Sequence, residues 1–219
     1  MQPKNLSLTH LIRQPKTPAE KSPVVFMLHG YGSNEQDLFS FASELPEDLF
    51  IISLRAPVAL QPSGFGWFEI YWNSTSGKFG DDQQALESRE AIVKFIDQAL
   101  EAYPIDAKRV TLVGFSQGTM LSLAVALSYP EKVKNVIGLS GFLLPDLLLT
   151  SYKEKDFSHL SIYTSHGTLD QVIPIDWAKA TKPFLDDLGI ENTYSEFPVG
   201  HGVAPQNFME LVAWLKPRY

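Results

Sequence analysis

The chain has 219 residues, 44% of them hydrophobic and 20% charged, with a formal net charge of −7. That length and balance fit one folded domain spanning residues 1–219 and exclude disordered and fibrous architectures. The acidic balance offers no basic surface for nucleic acid or an anionic membrane. The absence of cysteine excludes disulfides, thiolate metal sites and cysteine nucleophiles, and fits a reducing, cytoplasmic setting.

Residues 1–16 carry prolines and polar residues with no apolar core, so they do not read as a secretory leader. A first, partly alternating segment over 6–12 predicts an edge strand. Short apolar runs follow at 24–28 and 50–54. Their near-continuous hydrophobicity predicts strands covered on both faces, as in a parallel sheet. No such run approaches the roughly 20 residues a membrane-crossing helix needs. Residues 57–80 break the pattern, with glycines, prolines and the aromatics Phe65, Trp67, Phe68, Tyr71, Trp72 and Phe79, and predict a long loop. An amphipathic helix is predicted over 83–103, stopped by Pro104. Beyond it come a strand at 110–113, a helix at 116–129, a strand at 136–139, a loop at 141–152 and a strand at 161–165. A helix over 176–188 ending at Gly189, a strand at 193–197 and a helix over 205–215 complete the chain. The alternation implies an α/β fold, a mainly parallel sheet with helices on both faces.

The chemistry-bearing pattern is Gly114-Phe115-Ser116-Gln117-Gly118, a G-x-S-x-G sequence set between a predicted strand and a predicted helix. A turn that tight leaves room only for glycine at the flanking positions and lifts the serine hydroxyl above the sheet edge. A hydroxyl needs a base to become a nucleophile, and the base needs a carboxylate to orient it. Of the five histidines, only His201 follows the last predicted strand, between Gly200 and Gly202. His166, at the end of the 161–165 strand, reads as a structural hydrogen-bonder. The carboxylate is expected in the loop His166-Gly167-Thr168-Leu169-Asp170, with Asp170 favoured and Asp176 second, because a helix start already explains Asp176. An oxyanion hole requires two inward N–H groups. Gln117 supplies one through its backbone. The loop Leu28-His29-Gly30-Tyr31-Gly32 supplies the other, through Tyr31.

Together these four motifs resemble the carboxylesterase/phospholipase family of α/β-hydrolases, which includes the acyl-protein thioesterases. The resemblance implies Ser116 as nucleophile, His201 as general base and then acid, Asp170 as orienting carboxylate, and no metal or organic cofactor. It also implies an α/β-hydrolase fold, here without a large cap domain. Two departures stand out: Tyr31, where leucine is more usual, and Thr119-Met120, where small residues are more usual. The expected substrate is a small-molecule ester with a short to medium acyl chain, held in a groove formed by Trp67, Phe68, Phe142, Leu143, Leu144 and Val172. The alternatives are an acyl-protein thioesterase or lysophospholipase acting on longer chains, and a non-catalytic ligand-binding member of the fold. No nucleic-acid partner and no membrane insertion are expected, and the chain is read as a monomer or homodimer.

Overall fold

The computed structural model describes residues 1–17, 19–73 and 78–219, without the side chains of residues 72, 73, 78 and 79. The aromatic rings of Trp72 and Phe79 therefore lie outside the described residues. Seven strands form the main sheet: β1 (His10–Arg13), β2 (Ser22–Leu28), β3 (Phe50–Leu54), and, after the loop region, β8 (Ile105–Phe115), β9 (Asn135–Leu139), β10 (Ser161–Gly167) and β11 (Glu191–Phe197). Their order is β1-β3-β2-β8-β9-β10-β11. Only β1 runs antiparallel, pairing His10 with Leu54 at the edge of the sheet.

Side chains alternate across this sheet, and both faces are covered. Val24, Phe26 and Leu28 of β2 join Phe50, Ile52 and Leu54 of β3 in one apolar cluster. Val25 and Met27 join Ile51 in the other. Helices α1 (Asp82–Ala102) and α2 (Gln117–Ser128) cover the first face. Helix α5 (Pro205–Leu215) covers the second through Leu211 and Leu215. Asp81 caps α1 by accepting the Gln84 N–H at 3.0 Å, which sets its start.

Two expectations change. The helix predicted over 176–188 is two, α3 (Ile175–Lys179) and α4 (Thr181–Asp187). Pro183 is the reason: it has no N–H to give to the Lys179 carbonyl, so a continuous helix breaks there, and proline is tolerated only in the first turn of a new one. The loop at 57–80 contains four short strands, β4 (Val58–Ala59) paired with β5 (Phe65–Gly66), and β6 (Ile70–Asn73) paired with β7 (Lys78–Gly80). Runs of two to four residues between glycines leave little periodicity to read.

Candidate active site

The carboxyl ends of β8, β10 and β11 lie on one edge of the sheet. The first leads into Ser116, the second into the Asp170 loop and the third into the His201 loop. Ser116 does not begin the helix, as expected, but precedes it, with φ 54° and ψ −115°. A non-glycine residue in that region is strained, and such strain concentrates at functional sites. The flanking glycines permit it. A Cβ on Gly114 would fall 2.3 Å from the Gly118 carbonyl oxygen, and one on Gly118 would fall 2.0 Å from the Leu28 carbonyl oxygen. The latter contact is with a buried strand that cannot retreat. Gly118→Ala should therefore cost about 3 kcal/mol and lower Tm by roughly 6–12 °C. A wild-type melting curve for that variant would contradict the tight-turn account.

His201 Nδ1 donates to Asp170 Oδ2 at 2.7 Å. Facing a carboxylate, Nδ1 carries the proton, which leaves Nε2 free as an acceptor. The imidazole packs 5.0 Å, centroid to centroid, from Phe115, the residue before Ser116. Asp170 has no exposed side-chain surface. Its other oxygen, Oδ1, accepts the N–H groups of Val172 at 2.8 Å and Ile173 at 3.0 Å. Burial disfavours its charge, but the hydrogen bonds from His201, Ile173 and Val172 outweigh burial and hold its pKa below the ordinary carboxylate value. Asp176 is exposed, in the first turn of α3, and the cap of that helix is Pro174, so the carboxylate does not act as a cap.

The remaining histidines are structural or supporting. His10 bonds Leu8 O and the Tyr103 hydroxyl, and His159 bonds Pro130 O. Buried His166 sits with Nε2 2.9 Å from Ile173 O and 3.2 Å from Asp170 Oδ2, so Nε2 carries its proton and braces the carboxylate loop. His29 is fixed as one neutral tautomer. Its Nε2 accepts the Ala56 N–H at 3.0 Å, so Nδ1 donates to Gly30 O at 2.7 Å. Desolvation lowers its pKa, which preserves this state.

Among the described residues, the Tyr31 and Gln117 N–H groups find no backbone acceptor, whereas neighbouring Gly32 donates to Phe65 O and Thr119 to Ser116 O. The Gln117 side chain accepts the Trp67 N–H and donates to Phe68 O, both at 2.7 Å. Trp67 Nε1 in turn donates to His29 O at 2.9 Å. Trp67 and Phe68 are thus core struts, almost wholly buried, and not a groove lining as expected. Their indole and backbone groups tie the loop after β2 to the start of α2. The Tyr31 side chain is exposed, its ring lying against Gly66.

Thr119, an unexplained departure in the sequence, has a structural role. Its hydroxyl accepts the Leu139 N–H at 2.9 Å and lies 2.8 Å from Gly114 O and 2.9 Å from Leu139 O, joining the ends of β8 and β9. The expected groove residues Phe142, Leu143 and Leu144 do line one depression, of about 470 Å³, together with Pro145, Trp177, Ala180 and Phe184. Val172 lies outside it, highly exposed beside Asp170. Sequence reasoning missed Trp177 and Phe184, which sit on helices whose apolar positions read equally well as core.

Residues 9–217 match the Phospholipase/Carboxylesterase family. The "Probable carboxylesterase SOBER1-like" of Arabidopsis thaliana is 30% identical over 73% of this chain and 60% of its own length. Acyl-protein thioesterase 1 of Mycosarcoma maydis is 24% identical over 95% of this chain and 96% of its own. Among solved structures, the Bacillus cereus carboxylesterase superposes with a TM-score of 0.84 at 20% identity, covering 98% of this chain and 96% of that one. Its likeness carries the fold. The extent of the family match carries membership: the chain belongs to the phospholipase/carboxylesterase family of α/β-hydrolases.

Proposed function

We propose that the protein is a serine carboxylesterase for short- to medium-chain esters, acting through an acyl-enzyme on Ser116. The observation that carries this reading is the pairing of a strained, elbow-borne Ser116 with the His201–Asp170 hydrogen bond on the same sheet edge. His201 Nε2 removes the Ser116 proton as the hydroxyl attacks the ester carbonyl. The Tyr31 and Gln117 N–H groups receive the developing oxyanion. His201 then gives the proton to the departing alcohol, and water, activated by the same imidazole, releases the acid.

The depression along Phe142, Leu143 and Leu144 supports an acyl groove. Phe142 follows Gly141, where a Cβ would lie 2.6 Å from the Ser116 carbonyl oxygen, so this wall starts beside the nucleophile. Trp177 and Phe184 line the same depression, Trp177 meeting Phe142 edge-on at 5.1 Å. Each buried methylene contributes about 0.8 kcal/mol, so kcat/KM should climb roughly four-fold per carbon and level off at about four to eight carbons. The test is kcat/KM across 4-nitrophenyl esters from acetate to palmitate, below micelle concentrations, with matched thioesters. A rise that continues to palmitate, or a preference for sulfur leaving groups, would move the assignment to a long-chain acyl-protein thioesterase or lysophospholipase.

A further inference from the structure

Among the described residues, only two that are not glycine adopt a positive φ: Ser116 and Ser140, the latter at 50°. A side chain in that region is normally replaced by glycine, and glycine is the very next residue here. Serine at 140 therefore calls for an explanation in its hydroxyl. Ser140 is almost wholly buried, immediately after β9, between the strand that leads to Ser116 and the strand that leads to Asp170. Its N–H donates to Ser165 O at 2.9 Å, fixing it to β10. Its Oγ donates to Gly202 O at 3.2 Å. Gly202 follows His201 directly, and a Cβ at Gly202 would meet nothing within 4 Å, so no packing holds the chain on that side of its Cα.

We propose that Ser140 is a positioning residue for the general base: its hydroxyl anchors the Gly202 carbonyl and so sets the distance of the His201 imidazole from Ser116. The left-handed backbone at 140 is what turns this hydroxyl across the sheet edge toward the His201 loop. The adjoining Gly141 lies against the Ser116 carbonyl oxygen and the Thr119 side chain. One dipeptide therefore touches the backbones that carry nucleophile and base. The inference rests on the reading of His201 as base.

The test compares Ser140→Ala, Ser140→Gly and His201→Ala. Both position-140 variants lose the hydroxyl, but glycine relaxes the backbone while alanine does not, so Ser140→Gly should melt above Ser140→Ala. A positioning role predicts that both lose roughly 10- to 100-fold in kcat with KM nearly unchanged, and that amide exchange accelerates over residues 199–204. A merely structural role predicts that activity follows stability. Wild-type kcat in Ser140→Gly, with His201→Ala inactive, would overturn the inference alone. Retained turnover in His201→Ala would overturn the reading of the base as well. Should Ser140→Ala fail to fold, Ser140→Gly, which fits the observed backbone without strain, decides the matter.

Discussion

Ser116→Ala should leave a folded protein whose kcat is lower by roughly 10⁶-fold. Alanine fits the site of the smaller part of the serine side chain, and the Ser116 hydroxyl caps no helix N–H, so its removal takes no structural bond with it. What would disappear is the proposed covalent route. The proposed oxyanion N–H groups and acyl groove would persist, so a residual rate of roughly 10³- to 10⁴-fold over water should remain. Steady-state turnover of a 4-nitrophenyl butyrate ester, together with a melting curve, measures both halves of this expectation. Turnover within ten-fold of wild type in a folded variant would remove Ser116 from the chemistry.

Asp170→Asn should reduce kcat by roughly 10⁴-fold, and the structure says why an isosteric change is so damaging. Oδ1 is held by two backbone N–H groups, from Val172 and Ile173. An asparagine would keep its carbonyl oxygen on those donors and turn its amide N–H toward His201. That N–H can be received only by an unprotonated Nδ1, which places the imidazole proton on Nε2, where the base must be free. Asp176→Asn should leave kcat near wild type, because Asp176 is exposed. The opposite ranking of the two variants would mean that the orienting carboxylate is Asp176.

The parts of this molecule that were legible in the sequence are those where a short pattern has one physical cause. Phe50–Leu54 reads as a buried strand because each of its residues is apolar or small, and it is found so, wholly buried. Pro205–Leu215 begins at its proline and carries apolar residues at helical spacing. The glycines around Ser116 forecast the tight turn because nothing larger fits. The His201–Asp170 contact was foreseen from strand order, from the glycines around His201 and from setting Asp176 aside as a helix start. What was not legible depends on partners distant in sequence. Trp67 looked like a groove aromatic, since an indole serves a pocket and a core equally well. Its burial and its bond to the His29 carbonyl, 38 residues away, place it in the core. Thr119 reads as an anomaly until the ends of β8 and β9 are seen to share its hydroxyl. Ser140 gave no signal, because a positive φ at serine leaves no mark in composition or periodicity. The break between α3 and α4 was written in Pro183 but masked by the apolar spacing across it.

The most direct test of the account is covalent capture. The protein should be treated with an alkyl organophosphonate and the adduct located by peptide mass mapping, with Ser116→Ala in parallel. The account predicts a single adduct, on Ser116, formed in step with loss of esterase activity and absent from the variant. An adduct on another residue that abolishes activity, or full inactivation of the protein with Ser116 unmodified, would contradict it.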